Sequence, residues 1–167
     1  MTSQIYNNPT SYALLQIFKA MMDGEQIDYE KFYELTGYSR PVYLKTMKLL
    51  DEMINDLHLT CQLQKFEIDV TIPRTRYITH YYKLISRMDY SFQLNEEIPE
   101  DKRITYFPTI VYLKLKNRQY VALDNLVKYF KSLERVHMSK MLSNMEKVIG
   151  EDLYKDKYKS YVIEEID

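Results

Sequence analysis

Three features of the sequence predict a mainly α chain with small β-hairpins, an α+β class, laid out as two tandem units. Gly24, Gly37 and Gly150 are the only glycines, and each closes a stretch of helical period, where a left-handed residue satisfies the last carbonyls. The apolar period changes from 3.6 to 2 after Leu57 and again after Gly150. The whole order of signals then returns, with Val121 standing 94 residues after Ile27.

The first half runs as follows. Asn8-Pro9 offers a cap and a proline for a first helical turn, and Leu14, Ile17, Phe18 and Met21 recur at helical spacing up to Gly24. Asp28 caps a short helix, Tyr29 to Thr36, that buries Phe32 and Leu35 and stops at Gly37. Ser39 caps a third helix whose Tyr43, Met47, Leu50 and Ile54 form one apolar seam. Helix, short helix, tight turn and long helix is the order of a helix-turn-helix. Leu59, Cys61 and Leu63 then alternate with polar residues. After a one-residue slip, read as a candidate bulge, Phe66, Ile68 and Val70 alternate too. Ile72 to Arg76 makes a basic turn and Tyr77 to Leu84 runs back, a hairpin in the place of a wing.

The second half follows the same plan. Val121 to Leu126 aligns with Ile27 to Phe32, and after one inserted residue Met138, Leu142, Met145 and Ile149 fall on Tyr43, Met47, Leu50 and Ile54. Arg135 and Lys140 fall on Arg40 and Lys45. Asp152 to Ile166 forms a second hairpin with a basic turn at 155–159. Ile110 to Leu115 is open between helix and strand by propensity, with Pro108 favouring helix mildly. The boundary is placed in an acidic linker at 95–103, containing Glu96, Glu97 and Pro99. The units are therefore 1–94 and 104–167, each expected to be a winged helix. Arg87 to Phe92 is a candidate connecting helix.

From Ile27 to Leu50 the chain resembles the helix-turn-helix of DeoR-type and Mga-type bacterial regulators: Phe32, Leu35, Gly37, Tyr38, Ser39-Arg40, Lys45, Met47 and Leu50 stand in that pattern. The resemblance covers about one seventh of the chain and departs from the pattern at Pro41-Val42, where those families carry polar residues. It implies that Arg40, Lys45 and Lys48 contact phosphates or bases, with Arg135 and Lys140 as counterparts. In layout alone the chain is similar to tandem winged-helix accessory proteins of plasmid transfer and chromosome segregation.

Charge and composition narrow the function classes. The net charge is −1, unlike a protein that coats nucleic acid by bulk charge. The distribution is uneven: residues 102–163 carry thirteen Lys and Arg against six acids, while 1–94 carry ten against eleven. Met1 to Tyr6 lacks a basic segment followed by an apolar run, no apolar stretch suits a membrane span, and the single Cys61, with no cysteine to pair with, suits a reducing compartment, so a cytoplasmic protein is expected. His58, His80 and His137 have no ligand spacing and no phosphate-cradling glycine loop exists. No metal, cofactor, small-molecule substrate or catalysis is expected.

The placement of the basic residues points to recognition of double-stranded DNA. A recognition helix needs polar side chains in its N-terminal half and flanking cations for phosphates. Arg40, Lys45, Thr46 and Lys48 are expected to supply these in the first unit; Arg135, His137, Ser139, Lys140 and Asn144 in the second; and Arg74, Arg76, Lys155, Lys157 and Lys159 in the wings. No acid lies between Ser39 and Leu50, while Asp51, Glu52 and Asp56 crowd the far end, against the preference of the helix dipole. The expected protein is a transcriptional regulator or plasmid or phage accessory factor whose two recognition helices act as an internal dimer. The alternative is an interaction module without DNA contact, with a homodimer or protein partner on its tyrosine-rich surfaces.

Overall fold

The computed structural model describes residues 9–85, 90–117, 121–122, 128–131, 133–149, 153–155 and 160–163. It is an α+β chain in which the described residues give five named helices, a long two-stranded hairpin and a small three-stranded sheet.

Helix α1 (Pro9–Met22) buries Leu14, Leu15, Ile17 and Phe18 completely, and the chain leaves it through Gly24 at φ +89°. Helix α2 (Tyr29–Thr36) starts where Asp28 accepts a hydrogen bond from the Lys31 amide at 2.8 Å, and ends at Gly37, whose φ of +75° suits the residue without a Cβ. Both ends match the sequence expectation. Helix α3 (Arg40–Asp56) buries Tyr43, Thr46, Met47, Leu50, Met53 and Ile54. Ser39 stands at its N-cap without a side-chain bond to the helix.

Strands β1 (Gln62–Ile72) and β2 (Thr75–Ile85) pair antiparallel in unbroken one-to-one register from Gln62↔Ile85 to Ile72↔Thr75. The expected bulge is therefore absent. The slip marks a change of face instead: Leu63 pairs with Leu84 on one side of the ribbon, whereas Phe66, Ile68, Val70 and Ile72 occupy the other. On that second face Phe66 stacks on Tyr81 at 5.1 Å, and Ile68, Ile72 and Tyr77 are exposed. Pro73 and Arg74 make the turn; Pro73 fixes its own φ, and Arg74 takes the positive φ of the second corner, +70°.

Tyr90 to Asn95 is irregular, so the part of the candidate connecting helix that is described, Tyr90 to Phe92, is not helical; 87–89 lie outside the described residues. Helix α4 (Glu100–Lys116) settles the open segment Ile110–Leu115 as helix and takes in the acidic residues Glu100 and Asp101 as its first turn, where they complement the dipole. Pro108 lies in its middle and offers no N–H to the Ile104 carbonyl. One residue on, the Thr105 carbonyl accepts the Ser11 hydroxyl of α1 at 2.9 Å.

Beyond it lie β3 (Val121–Ala122), α5 (Arg135–Ile149), β4 (Leu153–Lys155) and β5 (Ser160–Ile163), with sheet order β3-β5-β4. Val121 pairs with Tyr161 there, and in the first half Ile27 pairs with Tyr82 in an isolated bridge on β2. Apolar residues from both halves form one core. Helix α1 packs on α2, α3, α4 and α5, most extensively on α4. The core also holds a buried cation, Arg103, which pairs with Glu100 at 2.9 Å, donates to the Tyr129 carbonyl at 2.7 Å and lies over the Tyr129 ring. No helix among the described residues is long and apolar enough to cross a membrane.

Candidate nucleic-acid interface

The solvent side of α3 follows from its seam. With Tyr43, Thr46, Met47 and Leu50 turned inward, Arg40, Pro41, Leu44, Lys45 and Lys48 are left exposed. Arg40 stands at the positive end of the helix, an unfavourable place for a cation, and is held there by α2: its guanidinium lies 4.5 Å over the Tyr29 ring. Such a contact is worth about 0.5–1 kcal/mol at an exposed site. Tyr29 in turn tilts against Tyr43 at 5.7 Å, and Tyr43 against Phe32 at 5.2 Å. The position of Arg40 is thus anchored to the core through a chain of rings.

A cleft of about 320 Å³ opens beside Arg40, between the starts of α2 and α3 and strand β2. Asp28 and Glu30 share it with Arg40, Tyr77 and His80, so the field there is mixed. The uninterrupted cationic surface lies a turn further on, at Lys45 and Lys48, neither of which forms an ion pair among the described residues.

On α5 the inward residues are Met138, Met141, Leu142 and Met145, and the exposed ones include Arg135, Val136, Lys140 and Ser143. His137 and Ser139 are half-buried. Arg40, Lys45, Arg135 and Lys140, the four cations expected to matter most, are all on the surface.

One expected contact is corrected, and a second has a partner inside the fold. Thr46 is fully buried, and its hydroxyl donates to the Val42 carbonyl of its own helix at 2.7 Å. It stands three residues after Tyr43, on the same face, which is why the core takes it. Asn144 is half-buried and its amide donates to the Tyr12 hydroxyl of α1 at 3.4 Å, so it serves a helix contact. Burial of that phenol raises its pKa, an effect the Asn144 bond partly offsets.

In the hairpin, Arg74 sits exposed at the turn, while Arg76 forms an ion pair with Asp69, its Nε 3.0 Å from Oδ1. The backbone of Lys155 belongs to β4; Lys157 and Lys159 lie outside the described residues. Leu44 and Val136, which the sequence did not single out, are 51% and 58% exposed on the same helix faces as the cations. Their offset from the apolar seam is the signal that finds them.

Two of the three acids at the far end of α3, Glu52 and Asp56, have a structural purpose. Lys102 of α4 reaches both Glu52 and Asp56 at 3.3 Å, and the Tyr106 hydroxyl donates to Asp56 at 2.7 Å. Burial lowers the Lys102 pKa, but the two carboxylates outweigh it and hold it above its ordinary value. Helix packing thereby accounts for Glu52 and Asp56 on α3, whereas Lys45 and Lys48 have no ion-pair partner among the described residues.

Among the described residues no three His, Cys, Asp or Glu side chains gather as a metal site. No protein-family model, curated protein or solved structure matches the chain.

Proposed function

We propose that the chain binds double-stranded DNA through two winged-helix units, with α3 and α5 as recognition helices of an internal dimer. It is read as a binding protein rather than an enzyme. The repeat is supported by two correspondences: Ile27↔Tyr82 against Val121↔Tyr161 in strand pairing, and burial of Tyr43, Thr46, Met47 and Leu50 against Met138, Met141, Leu142 and Met145, 95 residues on. The observation that carries the function is the exposed basic face in the N-terminal half of α3, with Arg40, Lys45 and Lys48 and no acid before Asp51. Arg135 and Lys140 take the corresponding positions on α5. Lys and Arg so placed neutralise phosphates and release counterions.

Fluorescence anisotropy with a random-sequence duplex at two salt concentrations tests this. Binding at low salt is expected, weakening as salt rises, and Lys45→Glu and Lys140→Glu each reduce affinity and flatten the salt slope. Absence of binding at low salt, or charge reversals without effect, would sink the proposal.

A second reading, an interaction module that never touches DNA, draws on the exposed apolar face of the β1–β2 hairpin at Ile68, Ile72 and Tyr77. It gains if the duplex assay is silent while the chain self-associates and Tyr77→Lys abolishes the association.

A further inference from the structure

Leu44 is the one large apolar side chain of α3 that the fold leaves in solvent; Tyr43, Met47, Leu50, Met53 and Ile54 are all buried. Single exposed apolar residues are common and mean little by themselves. Leu44 differs by its setting. Arg40 lies one turn before it on the helix, Lys45 beside it and Lys48 one turn after, all exposed, so its apolar surface is ringed by cations. A protein partner that buried Leu44 would also have to neutralise that ring. A polyanion with an apolar group recessed between its charges meets both demands at once.

We infer that Leu44 contacts the C5-methyl group of a thymine in the major groove, and so sets part of the sequence preference, an assignment that rests on the DNA reading above. A leucine side chain has no donor or acceptor for a phosphate or a polar base edge, and the apolar feature of major-groove edges is the thymine methyl. The N-terminal half of a recognition helix, where Leu44 lies, is the part that meets base edges. The same contact selects DNA over RNA, since A-form RNA closes its major groove to side chains and uracil lacks the methyl. Lys45 and Lys48 act on phosphates and carry affinity without sequence information.

The test begins by selecting duplexes from a random library with the full chain, then replacing each thymine of a selected duplex by deoxyuridine, which removes the methyl alone. One replacement is expected to weaken wild-type binding about three- to fivefold, the value of one buried methyl group. Leu44→Ala is weakened to a similar extent on the parent duplex and no longer distinguishes thymine from deoxyuridine at that position. Lys45→Ala and Val136→Ala still do. Alanine is a better helix former than leucine and the site is exposed, so the variant keeps its fold. If deoxyuridine is silent at every position, or Leu44→Ala still senses each methyl, the assignment falls while DNA binding stands. If no duplex is bound at all, both fall.

Discussion

The hydroxyl of Tyr106 donates to the carboxylate of Asp56 at 2.7 Å, joining the middle of α4 to the last turn of α3 across fifty residues of chain. Tyr106 is fully buried, and Lys102 completes the arrangement from one turn earlier. The negative end of α3 is where a carboxylate is least welcome, and two donors from α4 make it tolerable.

Tyr106→Phe should therefore lower the free energy of unfolding by about 1.5–3 kcal/mol, the value of a hydrogen bond to a charged acceptor. Urea denaturation followed by circular dichroism measures it. Because core residues of both halves belong to one cluster, the loss is expected as a shift of one shared transition rather than of a transition confined to the second half.

Alkaline pH should unfold the protein. Burial raises the pKa values of Tyr12, Tyr43, Tyr106 and Tyr129, and pushes Cys61 up to about 11. Unfolded phenols titrate near 10 and an unfolded thiol near 8.5, so above these values the unfolded chain binds fewer protons than the native one. Stability is fully present below the unfolded values and falls as pH climbs through them toward the folded ones. Tyrosinate absorbance near 295 nm is expected to rise together with loss of helical dichroism; titration of all seventeen tyrosines near pH 10 with the helices intact would contradict this.

Tyr43→Phe should stabilise. The Tyr43 ring packs against Tyr29, Phe32 and Tyr82, but its buried hydroxyl has no hydrogen-bond partner among the described residues. Removing an unsatisfied buried hydroxyl while keeping the ring is expected to gain about 1 kcal/mol. A higher thermal midpoint is the readout.

Arg74→Gly should stabilise the hairpin by about 1 kcal/mol, since a left-handed φ is costly for a residue with a Cβ. On the DNA reading it also weakens duplex binding. Opposite signs in melting and anisotropy separate the two roles; a destabilised variant would show that the Arg74 side chain holds the turn.

Legibility varied along the chain for identifiable reasons. Helix α2 was readable to the residue because Asp28 and Gly37 mark its ends by local chemistry. Helix α4 was not: Pro108, Ile110 and Val111 suit other structures, and the acids at its start resembled a linker. Packing decided it, with Tyr106, Phe107, Ile110, Val111 and Leu113 all fully buried. An apolar period that changes face looks like a bulge in the sequence, and only the unbroken register with β2 distinguishes the two. In the candidate interface, charge is a good guide to exposure, and Arg40, Lys45 and Lys48 are all exposed. Hydrogen-bonding capacity was a poor one. Thr46 satisfies its hydroxyl within its own helix and Asn144 turns an amide hydrogen toward Tyr12, whereas the seam spacing that buries Thr46 also turns Leu44 outward.

Helix α1 lies against every other described helix, a keystone common to both halves. On the DNA reading, α3 and α5 then keep a constant distance and phase, like the fixed jaws of a gauge. Two binding sites displaced along the duplex by half a helical turn would be reached by one jaw only, so tolerance to spacer length should be nearly nil.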